Sequence, residues 1–362
     1  MADALPAFIQ SALERKLPPK TDYGIACVGC GGIVNYGHLP AYQASGFNVI
    51  GGYDLRPEAA AQTVKAHGLK KIYASLDELL TDPEVKIVDI AVMAWSQFEI
   101  VRKAVAARKH LLCQKPFSDQ YAQAVQMVEL AQQAGLQIAV HQQFRWAPVI
   151  RAARAILAEG WLGELLDVQV LVSITTPWDM WPWLADQPRL EALYHSIHYL
   201  DALRFLFGDP AWVTSRHTKN PAQKARGETK TITVWEYASG LQILIAVCHY
   251  DWSPGVYSLV RVLGADGLIE GTIGTNYDYP HGRNDTLKFT SRDRPSRNFE
   301  ATLPGRWIPD AFYGPMASLM EAIQTGGVPL TSGADNLGTL RVVNAAYLSM
   351  AERRSVAPTD LS

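Results

Sequence analysis

The chain has 362 residues, more than a single hydrophobic core usually serves, so two domains are the starting expectation. Apolar residues make up 48% and charged residues 19%, a balance that excludes a disordered chain. The 33 basic and 35 acidic side chains leave a net charge of -2 with no basic run, which gives nucleic acid or an anionic membrane no electrostatic footprint.

Residues 1–22 read as an N-terminal extension. Leu5, Phe8, Ile9 and Leu13 lie at helical spacing ahead of Pro18 and Pro19, and no basic stretch leads into an apolar run as it would in a secretory leader. No apolar run reaches transmembrane length. Four cysteines, Cys27, Cys30, Cys113 and Cys248, are too few and too unevenly spread for a disulfide framework, so a cytoplasmic protein is expected.

Residues 23–28 form a short apolar run that predicts a buried strand. It leads into Gly29-Cys30-Gly31-Gly32-Ile33, then a helical pattern to about residue 43, then an apolar run over 47–53 that ends on Asp54. Strand, glycine-rich turn, helix, strand and acid, in that order, are the context a dinucleotide fingerprint requires. Gly29 permits the tight turn. Gly31 keeps a side chain away from pyrophosphate at the helix N-terminus, where the dipole favours an anion. The third fingerprint position holds Val34 in place of Gly or Ala. Asp54 is spaced to accept from the adenosine ribose and repels a 2′-phosphate, so NAD is favoured; Arg56 keeps NADP open. Cys27 and Cys30 spell C-x-x-C without a second ligand pair, so no metal centre is expected.

Helical patterns at 57–67, 75–80, 98–107 and 122–134 alternate with strand-like runs at 72–73, 85–93, 110–113 and 136–140. Such alternation builds a parallel sheet whose ligand crevice lies beyond the strands' carboxyl ends. Trp95, Gln97, Gln114, Lys115, His141 and Gln142 fall at those ends, and 23–150 reads as the dinucleotide-binding domain.

Residues 151–335 read as a substrate and oligomerisation domain. Strands are expected at 168–174, 229–237, 241–250, 256–262 and 268–273, in a mostly antiparallel sheet with one face exposed or used for subunit contact. A helix over 190–207 brings Tyr194, His198 and Asp201 to one face, with His195 on its flank; a satisfied structural network is the plain alternative for the three. Trp178, Trp181 and Trp183 crowd one loop, suited either to a carbohydrate ring or to a neighbouring subunit. Residues 336–362 read as a closing helix and tail.

Taken together, Gly29 to Ile33, Val88-Asp89-Ile90, His110 to Pro116, Phe144-Arg145 and His198 to Asp201 resemble the glucose–fructose oxidoreductase/inositol dehydrogenase (Gfo/Idh/MocA) family, over almost the whole chain from 23 to 356. The resemblance implies an α/β protein: an N-terminal Rossmann domain, then a C-terminal α+β domain on an open-faced, mostly antiparallel sheet. It also implies a homodimer or homotetramer, and a sugar, glycoside or cyclic polyol as substrate. The family's Glu-Lys-Pro motif is matched by Gln114-Lys115-Pro116, which implies a substrate-hydroxyl contact at Lys115 and a cis bond before Pro116. Its helical acid-and-histidine motif puts the histidine at His198 and the acid at Tyr194; Asp201 matches a later structural acid. Gln97 stands where a histidine is common.

The expected reaction is hydride transfer between nicotinamide and a carbinol carbon. His198 is the expected acid or base, Lys115 holds the oxygen and Tyr194 relays. Cofactor contacts are expected from Gly29, Cys30, Gly31, Gly32, Ile33, Asp54, Arg56, Trp95, Gln97, Gln114 and Lys115. Gln142, Arg145, Trp178, Trp181 and Trp183 are expected to join the catalytic trio around the substrate. A cofactor-retaining sugar oxidoreductase, a lyase using transient oxidation, and an NAD-bound regulator without catalysis stay open.

Overall fold

Apolar runs too short for helices become strands, and the computed structural model, which describes residues 5–279 and 281–361, divides them between two units. The first four residues of the expected extension and the last residue of the expected tail lie outside the described residues.

One unit comprises Arg15–Gln143 and Ile308–Leu337. Its strands are β1 (Gly24–Val28), β2 (Val49–Tyr53), β3 (Lys71–Ile72), β4 (Val85–Ile90), β5 (His110–Cys113) and β6 (Ile138–Val140). All run parallel in the order β3-β2-β1-β4-β5-β6. Every residue of β1 is buried, as expected of a parallel strand covered on both faces. The crossovers carry helices Pro57–His67, Leu76–Thr81, Ala94–Ala106 and Tyr121–Gln133. Ser75 starts the second of these by accepting the Glu78 N–H at 3.0 Å, and left-handed Gly68 ends the first.

The helix after the glycine turn departs from the regular pattern. It contains a π-helical turn, Val34–His38, before an α-helical turn at Leu39–Gln43. This wider turn accompanies buried Val34 at the position where the fingerprint usually has Gly or Ala, and it delivers His38 into the core.

Residues 308–337 return to this sheet, whereas the sequence placed 308–335 with the substrate domain. The Val140 N–H donates to the Thr331 carbonyl at 2.8 Å, and the Phe312 ring packs 4.9 Å from that of His141.

The other unit comprises Met1–Glu14, Phe144–Trp307 and Gly338–Ser362. Its sheet runs β14-β13-β12-β11-β7-β10-β9-β8. These strands are β7 (Leu165–Ser173), β8 (Trp212–Thr218), β9 (Lys230–Glu236), β10 (Gln242–Cys248), β11 (Tyr257–Gly264), β12 (Gly267–Thr272), β13 (Thr286–Ser291) and β14 (Phe299–Thr302). β7 pairs parallel with β10, and the remaining neighbours among the described residues are antiparallel. Ile243, Ile245 and Val247 of β10 are buried, while Leu244 and Ala246 on the other face stay partly exposed. The N-terminal helix Ala7–Leu13 packs locally: Ile9 is buried, Phe8 meets Trp161 at 4.9 Å, and Arg151 donates to the Leu13 carbonyl at 3.1 Å. Among the described residues no helix is long and apolar enough to cross a membrane.

Candidate active site

Beyond the carboxyl ends of β1 and β2 lies a cleft of about 320 Å³, lined in part by Cys30, Gly31, Gly32, Asn35, Arg56 and Thr63. Gly29 turns the chain at φ +93°, and a Cβ there would meet the Ala91 carbonyl oxygen at 2.4 Å. A Cβ on Gly31 would meet nothing within 4 Å and would project into open space. The first N–H groups of the following helix have no partners within that helix. Asp54 accepts the Cys30 N–H at 2.8 Å and the Arg56 N–H at 2.9 Å, which fixes its carboxylate at the rim. The Arg56 side chain is largely exposed beside it. An open cradle at Gly31 and a fixed acid at ribose distance along the fingerprint fit NAD. The C-x-x-C thiols are buried, and burial first, then Asp54, pushes that of Cys30 up to about 12.

Lys115 sits in a turn with a cis Lys115–Pro116 bond. Fully buried Gln97 brackets the turn, its amide donating to the carbonyls of Gln114 and Pro116 at 2.9 Å each. Gln97 therefore positions Lys115, a use the sequence, which gave it to the cofactor, did not show. The Gln114 side-chain oxygen Oε1 accepts the Lys115 N–H at 2.7 Å, and its side-chain nitrogen Nε2 lies 3.0 Å from His38 Nε2. His38 Nδ1 is 2.7 Å from Asp89, which also accepts from the Tyr42 hydroxyl at 3.0 Å. With Nδ1–H donating to Asp89, Nε2 is the acceptor an amide requires, so Gln at 114 matches a neutral imidazole below it. Burial lowers the Lys115 ammonium to about pKa 7. Gln142, wholly buried after β6, has no hydrogen-bond partner at either amide atom, leaving the amide available to a ligand. Trp95 is more exposed, at the start of helix Ala94–Ala106.

In the sheet-rich unit the expected helix begins as a π-helical turn, Glu191–Ser196, and continues as Ile197–Phe207. Tyr194 and His198 are both buried, against Trp183 at 5.9 Å and Trp307 at 4.9 Å respectively. Arg145 grips Asp201 with two hydrogen bonds of 2.7 Å, and Thr339 donates to the same carboxylate at 2.8 Å. The guanidinium is thus spent on a buried ion pair, where the sequence offered it to substrate. The tryptophans separate likewise. Trp178 is core, packed with Leu190 and Ala225; Trp181 lies edge-on to Tyr279 at 5.5 Å; Trp183 is exposed.

Sequence reasoning missed a cluster on the same helix. Glu191, wholly buried, lies 3.4 Å from His195 Nδ1 and 3.5 Å from Nε2 of His249, which follows β10. The Glu191–His195 spacing of i to i+4 was the available signal, but His249 comes from a distant strand end.

A doubly wound parallel sheet with this turn and acid, joined in one chain to a large mixed sheet, defines a two-domain NAD-binding oxidoreductase. The chain belongs to the Gfo/Idh/MocA oxidoreductase family: its NAD-binding Rossmann-fold model matches residues 23–142 and its C-terminal alpha/beta-domain model matches 154–357. The chain is similar to a D-apiose dehydrogenase of Paraburkholderia graminis, at 31% identity over 91% of this chain and 88% of that protein. An Agrobacterium radiobacter oxidoreductase solved with NAD+, L-tartaric acid and magnesium superposes with TM-score 0.81 at 25% identity, covering 94% of this chain and 100% of that one. The aldose–aldose oxidoreductase of Caulobacter crescentus, complexed with glycerol, shares the fold at TM-score 0.80 and 20% identity, over 93% and 99% of the two chains. The chain is an NAD(P)-dependent oxidoreductase that acts by hydride transfer.

Proposed function

We propose that the substrate is a sugar or cyclic polyol and that Lys115, His198 and Tyr194 handle the proton of its reacting hydroxyl. The observation that carries the reading is Lys115 itself: an amine held by Gln97 and Gln114 in the NAD-binding unit, with burial bringing its proton affinity close to neutrality. NAD, when bound, supplies the hydride acceptor. The alcohol proton must leave as the carbonyl forms, and His198 exchanges it. Lys115 holds the same oxygen and Tyr194 donates to or accepts from it. The exposed indole of Trp183 suits stacking on a sugar ring, and Gln142 offers a buried amide to cofactor or substrate. The 31%-identical relative named as a D-apiose dehydrogenase supports the sugar class.

The partly exposed apolar face carrying Leu171, Val234, Leu244 and Leu259 suits assembly of copies into a homodimer or homotetramer. Four unpaired cysteines suit a reducing, cytoplasmic setting.

The test is NADH absorbance across a panel of monosaccharides, inositols and glycosides, repeated with Lys115→Met and His198→Gln. Each substitution should cut turnover by roughly 100-fold or more while leaving NAD affinity little changed. Unaltered turnover in both variants would overturn the assigned roles. A keto-sugar formed without net NADH would instead mark a cofactor-retaining cycle, and silence across the whole panel a regulator.

A further inference from the structure

We propose that Glu191, His195 and His249 form a binding site for a divalent transition-metal ion of the zinc class, with one carboxylate oxygen and two imidazole nitrogens as ligands. All three residues belong to the sheet-rich unit, and their ligand atoms lie within 4.8 Å of one another.

The separations favour a shared ion over direct hydrogen bonds. At 3.4 and 3.5 Å, the two imidazole nitrogens are farther from the Glu191 oxygen than an N–H···O bond prefers. Four ligands placed tetrahedrally at about 2.1 Å from zinc are about 3.4 Å apart along each edge. An octahedral ion with bonds of that length would draw neighbouring ligands to about 3.0 Å.

The surroundings orient these atoms as ligands. His249 is wholly buried, and its Nε2 has no hydrogen-bond partner. Its Nδ1 is tied to the Thr176 hydroxyl at 2.7 Å, which fixes the ring. With Nδ1–H donating to Thr176, the Nε2 lone pair points at a carboxylate oxygen. Two electron-rich atoms facing each other in a dry interior call for a cation between them. Glu191 is set for the same purpose: Thr231 donates to one oxygen at 2.6 Å, and Ser196 donates to the oxygen that faces the histidines.

The donor set selects the metal. Two imidazoles and one carboxylate suit zinc or its neighbours, whereas magnesium and calcium take oxygen ligands. Three protein ligands leave a fourth position for water, although the ligand atoms His195 Nδ1 and His249 Nε2 are themselves buried. His195 is also next in sequence to Tyr194, so an ion here would fix the π-helical turn that carries a residue we place in catalysis. That last consequence rests on the proposed function; the site itself does not.

The test uses the full chain, stripped of metal and titrated with Zn2+ and with Co2+ as a spectroscopic probe, in the absence of substrate. The expected result is saturation at about one equivalent, with the visible absorption of tetrahedral cobalt and a rise in Tm. His195→Ala, at the partly exposed ligand, should abolish saturable binding while leaving circular dichroism and NAD affinity intact, and His249→Gln should do the same. Thr176→Val, which removes only the group orienting His249, should weaken binding by about 10- to 100-fold. Absence of saturable binding in the unaltered chain, or equal affinity in folded His195→Ala, would overturn the site. Because the readout is binding alone, either result stands whether or not a sugar is ever turned over.

Discussion

An ammonium group is costly to hold away from water, and Lys115 shows the consequence: burial brings it to about pKa 7 from an ordinary 10.5. Between those values the unfolded chain binds a proton that the folded chain does not. Stability from this group therefore rises with pH across the window and is lost as pH falls through 7. In the proposed mechanism Lys115 holds the reacting oxygen while His198 takes its proton, and only the neutral amine can accept a hydrogen bond from that hydroxyl, so kcat/KM for oxidation should climb with pH through about 7. Lys115→Arg, whose guanidinium stays charged, should remove that limb; a pH–rate profile unchanged in the variant would show that another group sets it.

Arg145 answers a different question. Its bidentate grip on wholly buried Asp201 makes it a structural cation, so Arg145→Met should cost about 3–5 kcal/mol by leaving a buried carboxylate unpaired. Urea unfolding checks this. A variant of full stability with a raised KM would restore the substrate role that the sequence suggested. On the proposed assignment of Asp54 to the adenosine ribose, Asp54→Asn removes a charge that would repel a 2′-phosphate while Arg56 stays close by. The preference for NAD over NADP, measured as a ratio of kcat/KM values, should fall by roughly tenfold or more.

At the scale of the element, the glycine turn separates two functions that the fingerprint presents as one. Gly29 has φ +93° and no room for a methyl group, so Gly29→Ala should destabilise the unliganded protein by roughly 1–3 kcal/mol. Gly31 has room to spare, and we propose that pyrophosphate takes that room. Gly31→Ala should leave the Tm of the NAD-free chain unchanged and weaken NAD binding, by calorimetry, by at least about tenfold. Equal effects of the two substitutions on Tm would contradict this division of labour.

Most of the parallel strands were legible as mainly buried apolar runs between breakers, as in Gly24–Val28, whereas the two-residue Lys71–Ile72 is partly exposed. Trp212–Thr218, Thr286–Ser291 and Phe299–Thr302 were not, because their polar residues dilute the alternation and only pairing with a neighbouring strand identifies them. The π-helical turns at Val34–His38 and Glu191–Ser196 left no periodic mark either, since each shifts the helix by a single residue. Motif residues were visible one by one, but Gln97 and Arg145 received their uses from partners far along the chain.

For the molecule as a whole, chain order and spatial order differ: Ile308–Leu337 belongs with the nucleotide-binding sheet and Gly338–Ser362 with the other. A local pattern cannot signal such returns, because the Thr331 carbonyl that receives the Val140 N–H looks like any loop carbonyl in sequence. The open sheet raises the remaining large-scale question. Its inner face is filled by Ile243, Ile245 and Val247, yet its other face also carries leucine and valine where solvent would favour polar side chains. Apolar surface of this extent on a sheet is stable in water when a second such surface covers it, and identical copies supply one through two-fold symmetry. Leu244 lies on β10, one strand from the middle of that face, so Leu244→Arg places a charge where copies would meet without touching the buried side. Light scattering should show the unaltered chain as a dimer or tetramer and the variant as smaller species at the same concentration, with Tm falling as protein is diluted. A monomeric unaltered chain would mean that the exposed leucines face some other cover, and the two-fold argument would fail.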